Sequence, residues 1–228
     1  TKVNAQVLYP YEVVAKALTE IRDWYGEMSL SDVDRAMINK YWENLPDYLN
    51  GANCSMMCVI DTSGSMTGRT AAALINVAIS LGLYCAEHMT GPFANHYISF
   101  ASKPQLIQTT GIDFVDKVKR IYSTNLVDNT NLVAVFDLLL TTALKFKVKA
   151  SDIPKTIVVI SDMEIDVGTR SWKKDFHTWT KNNIATEMEK VRKTWADFGL
   201  ELPRLVYWNV DARQNTIIDS SPNSSFVS

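Results

Sequence analysis

Asp61, Ser63 and Ser65 stand two residues apart, directly behind the apolar run Met56-Met57-Cys58-Val59-Ile60. Such a run reads as a buried strand, and a strand that ends in Asp-x-Ser-x-Ser aims one carboxylate and two hydroxyls at one spot. Hard oxygen donors of this kind suit magnesium, manganese or calcium, not zinc or copper. Taken alone, the spacing has a competing reading, because Asp and Ser also cap helices and build turns. Two later segments offer matching oxygens. Asp128-Asn129-Thr130-Asn131 precedes an apolar helical stretch, and Ser161-Asp162 closes a second apolar run, Thr156-Ile157-Val158-Val159-Ile160.

The elements that must bring these loops together follow from periodicity. Val13, Val14, Ala17, Leu18 and Ile21 give a helical repeat over residues 10–25, opened by Pro10. Ser31-Asp32-Val33-Asp34 resembles a capping box and starts a second helix that runs towards Tyr48. A strand is expected over 54–60, then a helix over 69–89 with Ala72, Ile75, Ala78, Ile79 and Leu83 on one face. Gly91-Pro92 breaks the chain. Further on come a strand at 95–101, an edge piece at 104–108, helices at 112–122 and 131–147, and a strand at 155–161. A polar insert, a helix at 176–198 capped by Gly199 and a strand at 204–210 complete the series. Strands that alternate with helices imply βαβ units. The expected fold is therefore α/β: a Rossmann-like, doubly wound, mostly parallel sheet flanked by helices, with an N-terminal helical extension over 1–50 and the main domain over 51–228. In such sheets ligands bind at the carboxyl ends of the strands, where strand order reverses. Asp61 and Asp162 both lie at strand carboxyl ends.

The order strand–Asp-x-Ser-x-Ser, then Thr, then strand–Asp resembles the metal-ion-dependent adhesion site of von Willebrand factor A (vWA) domains, over roughly residues 54–210. The resemblance implies a divalent ion, magnesium or else manganese or calcium, held by Asp61, Ser63, Ser65, Thr130 and Asp162. Gly64, Asp128 and Glu164 would support the loops. It also implies a protein partner that offers an Asp or Glu side chain to an open position on the ion. Val159-Ile160-Ser161-Asp162-Met163-Glu164 and Pro203-Arg204-Leu205-Val206-Tyr207-Trp208-Asn209 are similar to a group of intracellular vWA proteins related to the vWA half of Ro/TROVE ribonucleoproteins. That kinship implies RNA association as an alternative, although RNA contacts in Ro proteins come largely from a helical-repeat half with no counterpart in these 228 residues. A vWA domain ends on a further helix, whereas only 18 polar, turn-rich residues follow Val210. Either a front helix takes that place or the domain is truncated at its C-terminus.

Bulk properties narrow the classes. A net charge of −2 makes no electrostatic case for nucleic acid or an acidic membrane. No apolar run is long enough to cross a bilayer. Cys54, Cys58 and Cys85 are odd in number and lack paired metal spacing, and Cys58 within a strand reads as a small buried hydrophobe. With no signal-peptide pattern at Thr1, a processed or excised, cytoplasmic product is expected. The tryptophans fall at helical spacing and read as packing, and the lysines at 145, 147, 149 and 155 as a solvated face. His88, His96 and His177 receive no role. A magnesium-dependent phosphoryl-transfer enzyme is a further alternative. Ser63 occupies the place of its second aspartate, Lys155 stands before its strand, and neither a nucleophile elbow nor a phosphate-cradling loop is present. The expectation is an interaction module, not an enzyme.

Overall fold

The computed structural model describes residues 8–19, 30–52, 54–67, 72–101, 103–124, 131–162, 176–211 and 224–227. Six strands form one sheet: β1 (Met56–Ile60), β2 (His96–Ser99), β3 (Leu106–Gln108), β4 (Thr156–Ser161), β5 (Arg204–Asn209) and β6 (Ser224–Val227). Their order is β3-β2-β1-β4-β5-β6, with β3 antiparallel to β2 and the remaining pairs parallel. This is a doubly wound arrangement whose order reverses between β1 and β4. The helices are α1 (Pro10–Ala17), α2 (Asp32–Glu43), the single turn α3 (Gly64–Thr67), α4 (Ala72–His88), α5 (Phe114–Ser123), α6 (Leu132–Lys145) and α7 (Phe176–Asp197).

Side chains of the central strands β1 and β4 alternate between two covered faces, which is why these two strands are almost wholly apolar. Cys58, Ile60, Val158 and Ile160 face a cluster completed by α1, α2, α4 and α5. Met57, Val59, Ile157, Val159, Leu205 and Tyr207 face the other, completed by α6 and α7. Val13, Val14, Ala17 and Leu18 of the α1 segment are fully buried in the first cluster, against which Val206, Trp208 and Val210 also pack. The front helices thus lie on the α4 side of the sheet. Trp42 and Trp195 are buried, in line with the packing reading, whereas Trp24, Trp172 and Trp179 lie outside the residues whose side chains are described.

Boundaries differ from the sequence reading where caps intervene. Ser31 Oγ accepts from the Asp34 N–H (3.1 Å) and starts α2 as expected, but the helix ends at Glu43 and not near Tyr48. Pro46 disfavours helical geometry in the residue before it. Gly199 at φ 68° ends α7 as foreseen. Helix α5 begins at Phe114, capped by Asp113, whose Oδ1 accepts from the Asp116 N–H at 2.9 Å.

Asp113 also ties the front helices to the core. Its carboxylate accepts two bonds from Arg35 (2.7 and 2.8 Å) and one from Asn39 (2.8 Å). Desolvation pushes the Asp113 carboxyl up, but the bonds from Arg35, Asp116 and Asn39 outweigh it and hold its pKa below the ordinary 3.8. A depressed carboxyl contributes stability above its unfolded-state pKa and loses it as pH falls through the folded one. Asp113→Ala is therefore expected to lower stability by about 1–2 kcal/mol at neutral pH. Urea titrations should show that deficit shrinking as pH falls below 3.8.

Candidate metal centre

The two-residue period of β1 and β4 settles where the rim residues point. Ile60 pairs with Ile160, and the Asp61 N–H donates to the Ile160 carbonyl at 3.1 Å, so the next residues, Asp61 and Ser161, stand side by side on one face. Asp61 is 1 % exposed and Asp162 4 %. Both lie at the carboxyl ends of neighbouring strands, at the point where strand order reverses. Ser161 Oγ donates to Asp61 Oδ2 at 2.5 Å, and the Ser63 N–H donates to Asp61 Oδ1 at 2.9 Å. One carboxylate is thus fixed from the neighbouring strand and from its own loop. Ser63 Oγ and Ser65 Oγ share a hydrogen bond of 3.0 Å, so the two hydroxyls meet as their spacing implies.

The structure brings Asp61, Ser63, Ser65 and Asp162 to one rim. Thr130, Asp128 and Glu164 lie outside the described residues. Gly64 heads α3; its φ is not positive, and an added Cβ would meet nothing within 4 Å. The backbone at Gly64 therefore makes no demand for glycine. Ser161 is the partner that sequence reasoning missed. It precedes a proposed ligand, but its role depends on the register between strands a hundred residues apart, which no local pattern reveals.

Burial raises the Asp61 carboxyl above its ordinary value; the bonds from Ser161 and Ser63 oppose this, and the charge of Asp162 adds to it. A buried carboxylate beside a second one is the setting in which a cation between them is favourable. Among the described residues no three His, Cys, Asp or Glu side chains gather as a metal group, so two carboxylates and two hydroxyls make up the described donor set. That set fits a hard, oxygen-seeking ion. Ser161→Ala should lower stability by about 1–2 kcal/mol, because Asp61 Oδ2 loses a donor in a water-poor site. Thermal unfolding without added metal would report it.

A cavity of about 470 Å³ between α2, α4 and α5 is lined by Glu87 and Asp113. Glu87 accepts from Lys117 Nζ (2.6 Å) and Trp42 Nε1 (2.8 Å), and Asp113 from Arg35 and Asn39. No described helix is long and apolar enough to cross a membrane.

Sheet order and an oxygen-donor rim at the reversal point define a Rossmann-like α/β protein with a candidate site at the usual edge. Its fold is similar to that of the Ro (RSR) protein of Deinococcus radiodurans, seen in a crystal structure, with a TM-score of 0.50 and 16 % identity. The match covers 96 % of this chain and 41 % of the Ro chain. Residues 53–228 match the family described as a domain of unknown function (DUF7788), and the chain belongs to that family. "Uncharacterized protein L728" of Acanthamoeba polyphaga mimivirus is 28 % identical over 212 residues, 92 % of this chain and 32 % of the viral protein. The chain therefore spans about a third of that relative's length.

Proposed function

We propose that this chain is a non-catalytic interaction scaffold whose rim between β1 and β4 binds a divalent ion, magnesium or else manganese or calcium. Asp61, Ser63, Ser65 and Asp162 would hold the ion together with Thr130. Side chains seldom fill all six positions of an octahedral ion, and a position left to water is where a partner's carboxylate would enter. The observation that supports this reading is that Asp61 and Asp162, distant in sequence, are both buried and directly follow the neighbouring parallel strands β1 and β4. Calorimetric titration with magnesium or manganese tests it. Saturable heats in the wild type and none in Asp61→Ala are expected; equal heats in both would remove the ion from the account.

A second reading, an RNA-associated scaffold of Ro type, draws on the likeness to the Deinococcus Ro protein. That likeness supports the fold, and function carried by fold is analogy. The two readings are compatible, since a scaffold can use its rim for protein and another surface for RNA. A salt-dependent shift of labelled single-stranded RNA at physiological ionic strength supports the second reading. Absence of a shift even at low salt removes it.

A further inference from the structure

Lys145, Lys147, Lys149 and Lys155 all fall in the connection from the end of α6 to the start of β4, and all are exposed. In a doubly wound sheet that connection lies at the amino ends of the strands, the edge opposite Asp61 and Asp162. Arg204, also exposed, opens β5 beside them, and its N–H donates to the Lys155 carbonyl at 2.9 Å. Among the described residues none of the four lysines stands in an ion pair, whereas Arg35, Lys40, Lys117, Arg120, Lys190 and Arg192 all do. The described carboxylates at the β4–β5 part of this edge are Asp152, Asp197 and Glu201, so the cations outnumber them. The net charge of −2 averages over the whole chain and conceals this edge.

Two features set this edge apart from a merely solvated face. The first is its shape and its ring. Phe146 is 68 % exposed among the lysines, with Lys145 Nζ 5.4 Å from its ring centroid. Lys155 stands between two hollows of about 520 and 290 Å³, which share it and Pro154. The edge is therefore concave, with an apolar floor that includes Ile153, Leu200 and Leu202. The second is Lys147, which holds a φ of 51° just past α6, where glycine is the usual residue. The other described non-glycine residues at positive φ are Asn50 and Asn95, and asparagine tolerates that geometry. Lysine near a helix carboxyl end also answers its dipole, which accounts for Lys145 but not for Lys149 or Lys155.

We propose that this edge binds single-stranded RNA, with Lys147, Lys149, Lys155 and Arg204 against phosphates and a base stacked on Phe146. The proposal rests on the second reading above and gives it a surface. A row of cations tracks a polynucleotide backbone, and an exposed aromatic ring supplies stacking that any base can use. A flexible single strand follows a concave edge, whereas a duplex is a stiff rod and a bilayer is flat.

Fluorescence anisotropy of a labelled oligouridylate, titrated with the full chain over a range of potassium chloride, tests this. Each phosphate contact on a single strand contributes about 0.7 to the slope of log affinity against log salt, so four contacts give about −3. Replacing both Lys149 and Lys155 by Ala should flatten that slope by about 1.4. Phe146→Ala should weaken binding roughly tenfold at every salt concentration and leave the slope alone. Lys147→Gly should raise the melting temperature yet weaken binding, opposite signs that a purely structural lysine would not give. Lys40→Ala, at an exposed lysine of α2, should match the wild type in affinity and slope. If the wild type binds RNA and the edge variants match it in affinity and slope, the edge is overturned while the second reading stands. If the wild type binds none even at low salt, both fall. Sedimentation with phosphatidylserine vesicles through these lysines, with no RNA bound, would assign the edge to a membrane and overturn the proposal.

Discussion

Magnesium at a hundredfold excess over its dissociation constant should raise the melting temperature of the wild-type chain by about 5–10 °C and leave Asp61→Asn unmoved. A ligand that binds only the folded state stabilises it by about 2.7 kcal/mol at that excess, and a chain of this size gains about 2–4 °C per kcal/mol. Asp61→Asn keeps the shape of the side chain and one carbonyl oxygen, which can still accept from the Ser63 N–H, while its amide nitrogen can donate to a turned Ser161 hydroxyl. It removes the charge that the ion would balance. The same exchange takes a buried carboxylate away from Asp162, so the metal-free variant should melt no lower than the wild type. Differential scanning calorimetry with and without magnesium reads both effects. A metal response that survives in Asp61→Asn would mean that the ion, if any, binds elsewhere.

Gly82→Val should destabilise the fold by about 3 kcal/mol, enough to threaten it. A Cβ at Gly82 would lie 2.3 Å from Ile60 Cδ1 and 2.7 Å from Ile60 Cγ1, and Ile60 is fully buried. Either the buried Ile60 side chain must leave its rotamer or helix α4 must lift away from β1, just where β1 leads into Asp61. Gly82→Ala poses the same problem with a smaller group, offset by about 1 kcal/mol of helix propensity. Ile60→Val deletes the Cδ1 carbon that stands nearest, so the pair Gly82→Ala with Ile60→Val should lose less stability than the two single changes summed. Strict additivity in denaturant titrations would show that this contact does not limit how closely α4 approaches.

What the sequence conveyed and what it hid divide along a physical line. Apolar runs and helical repeats are local, and β1, β4, β5, α4 and α6 emerge within a few residues of their expected limits. Asp61 and Asp162 were legible because they follow such runs directly, and βαβ logic sends both to one edge of the sheet. The bond from Ser161 to Asp61 was not legible, since it arises from strand register. How near α4 comes to β1 depends on Gly82, which no spacing announces. The anchoring of α2 by Arg35 and Asn39 to Asp113 joins residues more than seventy positions apart. Thr130, the remaining ligand of the expected set, and the supports Asp128 and Glu164 lie outside the described residues and rest on the sequence and its vWA resemblance.

Anomalous diffraction from crystals of this chain grown with manganese tests the central claim most directly. The account predicts a peak at the carboxyl ends of β1 and β4, about 2 Å from its oxygen ligands and lying between Asp61 and Asp162. Manganese-grown crystals with no peak at this rim, and with the two aspartates satisfied by protein groups alone, would contradict it.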